Sequence, residues 1–125
     1  MKTLVIGAAI IDIIMKIKRL PKSGEDILCS ETVSAVGGCA YNVAGTLRGF
    51  GVDHDLFVPV GRGMYGDMIA GDLEKLGYQI LIREEESDNG YCLCLVEEDG
   101  ERTFITVKGA EGRFRPSWFE QLSQD

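Results

Sequence analysis

The chain has 125 residues, 45% of them hydrophobic and 26% charged, and a formal net charge of −7. This composition fits one folded domain with a real core. The acidity argues against nucleic acid and anionic membrane surfaces as partners, because both repel a negative protein.

The cysteines, Cys29, Cys39, Cys92 and Cys94, form no Cys-x-x-Cys pair, and His54 is the only histidine. Reduced thiols are therefore expected rather than a zinc site. An apolar stretch, Leu4–Met15, follows Met1-Lys2, but Asp12 interrupts it and Lys16-Ile17-Lys18-Arg19 follows directly. A charge in so short a run is incompatible with a membrane span. With no small-x-small cleavage pattern, the stretch predicts a buried strand and a cytoplasmic protein.

Thr3–Gly7 predicts a central strand of a parallel sheet, covered on both faces. Lys16, Lys18 and Arg19 read as a solvated strand face or loop. Pro21–Asp26 is a turn-rich loop, and Ile27–Val36 predicts a strand of mixed polarity outside the main core. Gly37-Gly38 breaks that strand. Val43, Ala44, Leu47 and Phe50 then recur at helical spacing, with Gly49 and Gly51 marking the helix end. Asp55–Val60 predicts a second buried strand. A helix opening at about Asp67 follows, with Ile69, Leu73 and Leu76 on one face and Gly77 after its last turn. Tyr78–Ile82 predicts a third strand. The order is βαβαβ, which requires parallel strands and right-handed crossovers.

The pattern then changes. Tyr91–Glu97 and Arg102–Val107 flank Glu98-Asp99-Gly100-Glu101, the layout of a hairpin. This hairpin and the 27–36 strand would form a small accessory sheet. Pro116–Glu120 predicts a helix start, with Ser117 as N-cap and Glu120 completing a capping box. The sequence ends at Asp125, soon after that start. A helix so short is marginal by itself, so the expectation is a piece of a longer α/β protein.

Three places could carry chemistry. Gly37-Gly38-Cys39-Ala40-Tyr41-Asn42 lies where a strand gives way to a helix. Glycines there let a ligand approach the backbone, the first helical N–H groups lack internal partners, and Asn42 can both donate and accept. The same residues also read as a glycine turn and a helix start. Asp12 lies just beyond the first strand, where open parallel sheets bind ligands. An acid among aliphatic residues is either hydrogen-bonded or exposed at a cleft. Gly61-Arg62-Gly63-Met64-Tyr65-Gly66 is a literal G-x-G-x-x-G, with Glu84, Glu85 and Glu86 about 20 residues on, as in dinucleotide-binding units. It also reads as a tight turn.

Taken in order, Asp12, the loop Leu20–Glu25, the run Gly37–Ala44, the Gly61–Gly66 turn and the hairpin ending Lys108-Gly109-Ala110 resemble the ribokinase-like (PfkB) carbohydrate kinases. The resemblance covers essentially the whole chain. It implies an α/β fold, namely the N-terminal part of a ribokinase-like domain: a parallel βαβαβ sheet plus a small β lid formed by accessory strands and a hairpin. It implies that Asp12, Gly38 and Asn42 bind the acceptor's hydroxyls; Gly37 is expected to shape the turn, and Cys39 and Tyr41 to touch the acceptor. The implied reaction moves the γ-phosphate of ATP, with magnesium, to a hydroxymethyl group of a small sugar or nucleoside. Lid pairing implies a homodimer. The family's catalytic aspartate belongs to a Gly-Ala-Gly-Asp segment absent from these 125 residues. Residues 1–125 are therefore expected to be the substrate-binding and lid portion, inactive alone. Arg62 and Gly63 stand where the family usually has acids, which leaves the acceptor's identity open. Two other readings remain: an NAD-binding Rossmann domain of a dehydrogenase using Gly61, Gly63 and Gly66, and a non-catalytic truncated module that dimerises through its hairpins.

Overall fold

The computed structural model describes residues 2–122. Its strands are β1 (Thr3–Ile6), β2 (Ile10–Lys16), β3 (Glu31–Gly37), β4 (His54–Phe57), β5 (Pro59–Val60), β6 (Ile82–Arg83), β7 (Tyr91–Val96) and β8 (Arg102–Val107). Its helices are α1 (Cys39–Gly49) and α2 (Met64–Lys75), with short 3-10 turns at Ala110–Gly112 and Pro116–Gln121.

The core layer is parallel, as expected. β1 pairs with β4, and β5 pairs with β6. β4 and β5 form a nearly continuous strand, separated only at Val58. Leu56, Val58 and Val60 pack with Ala40 and Ala44 of α1 and with Ile69, Ala70 and Leu73 of α2. On the opposite face Phe57 joins Ile82 and Trp118. A run buried on both faces is what a central parallel strand needs, and full burial of Phe57 contributes about 1.5–3 kcal/mol.

The lid layer is a four-stranded sheet of order β3-β2-β7-β8. β2 and β7 are parallel, and the outer pairs are antiparallel. The hairpin forms in register, with Tyr91 opposite Val107 and Val96 opposite Arg102. Gly100 supplies the positive φ of 88° in its turn.

Several expectations are corrected. The apolar stretch 4–15 is two strands, not one. Gly7-Ala8-Ala9 turns the chain between them, so Asp12 lies within a lid strand rather than at the end of the first core strand. β1 is covered on one face only: Val5 is buried, whereas Leu4 and Ile6 are 42% and 47% exposed. The inward stripe of α1 is Ala40, Ala44 and Leu47, while Val43 and Phe50 are exposed. α2 begins at Met64 rather than Asp67. The third core strand is two residues long, at Ile82–Arg83. Pro116–Gln121 is a 3-10 turn whose N-cap position is Arg115, with no side-chain cap, so Ser117 does not cap it.

Candidate functional site

The β1–β2 junction and the start of α1 are pressed together. A Cβ on Gly38 would lie 2.5 Å from the Ala8 carbonyl oxygen and 3.1 Å from Ala9 Cα. Gly38 also has φ of +103°, which disfavours side chains. Both constraints require glycine at the N-cap of α1. Close approach here sets the residues following β1 beside the first turn of the helix.

Asp12 and Gly37 lie on neighbouring strands, with Asp12 opposite Ala35 and Gly37 opposite Ile10. The Asp12 carboxylate fills the space a side chain at 37 would occupy. It is half-buried, and desolvation pushes its carboxyl above the ordinary carboxylate value. No hydrogen bond from the described residues offsets that cost. Asp12, Gly37 and Gly38 therefore form one cluster at the root of the lid.

Cys39 and Asn42 are exposed in the first turns of α1. The Asn42 backbone N–H donates to the Gly38 carbonyl at 2.9 Å, so the helix starts regularly and leaves the Asn42 side chain at the surface. Tyr41 turns elsewhere. Its hydroxyl donates to Asp72 of α2, and burial together with that bond raises its pKa to about 12. Tyr41 thus ties the two helices together. All four thiols are free, with Cys92 and Cys94 buried.

The Gly61–Gly66 turn does lead from a strand into a helix, yet its helix N-terminus is filled. The Asp88 carboxylate accepts from the Gly66 N–H at 2.6 Å and the Tyr65 N–H at 3.2 Å. It also accepts from the Asn89 N–H at 2.8 Å. A cofactor pyrophosphate would need those same donors. The trailing acids are engaged too: Arg62 donates to both Glu85 oxygens, at 2.7 and 2.9 Å. Glu84 is buried and meets Arg115 at 2.9 Å. Hydrogen bonding to Arg62 holds the Glu85 carboxyl below its usual range. The dinucleotide reading fails on this geometry.

Among the described residues no group of three or more His, Cys, Asp or Glu could hold a metal ion. A magnesium ion, which the family resemblance implies, therefore finds no all-protein donor cluster among these residues. Among the described residues no helix is long and apolar enough to cross a membrane.

A parallel core with a four-stranded lid rooted at Asp12 and a double-glycine helix start is the architecture of the N-terminal part of a ribokinase-like fold. The sequence matches the pfkB family carbohydrate kinase family over residues 1–125, and the chain belongs to that family. It is 41% identical over 120 residues to the uncharacterized sugar kinase YegV of Escherichia coli (strain K12), a match covering 96% of this chain and 37% of YegV. The ribokinase structure from Giardia lamblia superposes with a TM-score of 0.86 at 27% identity, covering 97% of this chain and 40% of that one. Arabidopsis thaliana ribokinase, complexed with ribose and ATP, superposes with a TM-score of 0.75 at 28% identity, covering 86% and 36%. The chain thus spans well under half the length of these relatives.

Two features were missed in the sequence. One is β2 as a lid strand, which Gly7-Ala8-Ala9 between two β-branched runs could have signalled. The other is the polar group of part-buried Asp88 with buried Asn89 and Glu111. It has no local signature, because the bonds that tie it to other segments span 21 to 80 positions.

Proposed function

We propose that residues 1–125 hold and cover the acceptor of an ATP-dependent carbohydrate kinase. In this reading Asp12 accepts hydrogen bonds from two acceptor hydroxyls. The backbone at Gly38 and the Asn42 side chain contact the same acceptor, and Gly37 leaves room for the Asp12 carboxylate. Cys39 lies at the rim. The observation that carries the reading is the unpartnered, half-buried Asp12 carboxylate at the lid root, beside a glycine-started helix. Such a group gains most when a ligand supplies the missing donors. Lid closure would exclude water and orient the acceptor, which is most of what phosphoryl transfer asks of a protein.

ATP is the proposed donor, bound by segments other than those described. Residues 1–125 would then be the substrate-binding and lid portion of a kinase domain, without turnover alone. Exposed Val33, Phe104 and Ile105 on the lid favour pairing of two lids in a homodimer, checked by sedimentation of the natural gene product. The central test is ATP-dependent phosphorylation of pentoses, ketohexoses and nucleosides by that gene product. Turnover by residues 1–125 alone would contradict the division of labour. No turnover of any acceptor by the natural gene product would sink the kinase reading.

A further inference from the structure

Asn89 and Glu111 have no role in the proposed acceptor site, yet they are only 3% and 8% exposed. Burying such groups is costly unless each finds partners. Here each finds backbone at the root of the lid.

Asn89 bridges three segments. Its Oδ1 accepts from the Gly61 N–H at 2.6 Å. Its Nδ2 donates to the carbonyls of Ala9 at 3.2 Å and Pro59 at 3.0 Å. Ala9 immediately precedes β2, while Pro59 and Gly61 belong to the core strand and its exit. One amide therefore ties the root of β2 to the core.

Glu111 grips two further crossings. One carboxylate oxygen accepts from the Gly90 N–H at 2.5 Å, and the other from the Gly109 N–H at 2.8 Å. Gly90 immediately precedes β7, and Gly109 lies just beyond β8. A single carboxylate thus holds both ends of the hairpin. Two backbone bonds close the arrangement: Ala110 N–H to the Asp88 carbonyl at 2.9 Å, and Ile11 N–H to the Gly90 carbonyl at 3.3 Å.

We propose that Asn89 and Glu111 are positioning residues, forming a buried clamp that fixes the angle at which the lid, and Asp12 with it, leaves the core. The inference rests on the reading of Asp12 and the lid as acceptor-holding parts. Three of the four places where the lid joins the core lie in this clamp, at the ends of β2, β7 and β8; the fourth is Gly37-Gly38, after β3. Asp12 is close in sequence to Ala9, so a loosened root displaces the carboxylate directly. A misplacement of about 1 Å far from the chemistry can cost on the order of a hundredfold in rate.

Glu111→Gln in the natural gene product tests this. An amide can match one of the two N–H groups but turns its own NH2 toward the other. The first readout is amide hydrogen exchange of the substrate-free protein. Exchange at Gly90 and Gly109 should rise about tenfold or more, with β1 and β4 unchanged. The second readout is kinetic: the acceptor KM should rise about tenfold while the ATP KM stays put. Glu111→Asp, which keeps the charge, should retain more of both protections, and it provides the same readouts if the glutamine variant does not fold. Faster exchange with an unchanged acceptor KM would reduce the clamp to a structural role and overturn the proposal. Unchanged exchange would overturn it outright. If the unsubstituted protein phosphorylates no acceptor, the kinase reading falls, and the exchange comparison still decides whether the clamp holds the lid.

Discussion

Replacing Asp12 by asparagine should move stability and activity in opposite directions. Burial raises the folded-state pKa of this carboxyl, so the folded chain binds the proton more tightly than the unfolded chain. Its stabilising contribution is present at low pH and is lost as pH rises through the folded value. At neutral pH the folded protein therefore carries a desolvated charge at a cost. Asp12→Asn removes that charge, so the unliganded variant should melt higher than the parent at about pH 7, with the gain shrinking toward about pH 4. Activity should do the reverse. Charge-assisted hydrogen bonds contribute about 1.5–3 kcal/mol. At about 1.4 kcal/mol per tenfold, kcat/KM for the acceptor should fall roughly 10- to 150-fold, with the ATP KM unchanged. Thermal melts at two pH values and steady-state kinetics on the natural gene product read both effects. A variant that is destabilised at neutral pH and keeps its acceptor kinetics would refute the reasoning, because Asp12 would then be a structural residue.

Gly37→Ala should displace the same carboxylate, since the new Cβ would overlap an Asp12 oxygen and lie 3.0 Å from its Cγ. Overpacking of this kind costs about 1–3 kcal/mol, and adding Asp12→Ala should recover stability in a denaturant melt without recovering acceptor use. Asp88→Ala strips the acceptor from the Tyr65, Gly66 and Asn89 N–H groups. It should cost about 0.5–2 kcal/mol by the loss of a helix cap, and calorimetric titration with NAD(H) should show no saturable binding before or after the change. Tyr41→Phe breaks the link to Asp72. It should cost about 0.5–1.5 kcal/mol and remove a phenol that ionises at about 12, visible in an ultraviolet pH titration.

The core was legible because its burial follows local periodicity. Ile69 and Leu73 stand one helical turn apart and both face inward. The Asp-Gly turn between two β-rich runs marked the hairpin. Errors arose where periodicity is silent. Ile10–Lys16 carries apolar residues on both faces, so periodicity by itself does not separate it from the preceding core strand. Only its pairing with β3 and β7 shows that it left the core layer. Val43 and Phe50 fit the helical spacing of α1 but lie on its outward side, because small Ala40 and Ala44 are what the close approach of β1 admits. A Cβ at Gly7 would already lie 2.8 Å from that of Ala40.

The site was legible only in part, and the Gly61–Gly66 turn shows why. The family resemblance places an acidic residue in this turn, and the sequence has Arg62 and Gly63 instead. Read locally, Gly61–Gly66 is a glycine-rich loop open to a cofactor phosphate. Folding reverses that reading. Gly63 takes φ of +145°, and a Cβ on it would lie 2.5 Å from the Asp88 Cγ. The carboxylate of Asp88 thus occupies the space a side chain at 63 would use and satisfies the N–H groups of the first turn. The cap of α2 therefore comes from Asp88, 25 positions beyond Gly63, on the segment whose next residue, Asn89, anchors the lid root. Helix start and lid root are thereby joined through adjacent residues. That coupling depends on a long-range fold, so no motif search along the sequence could reveal it.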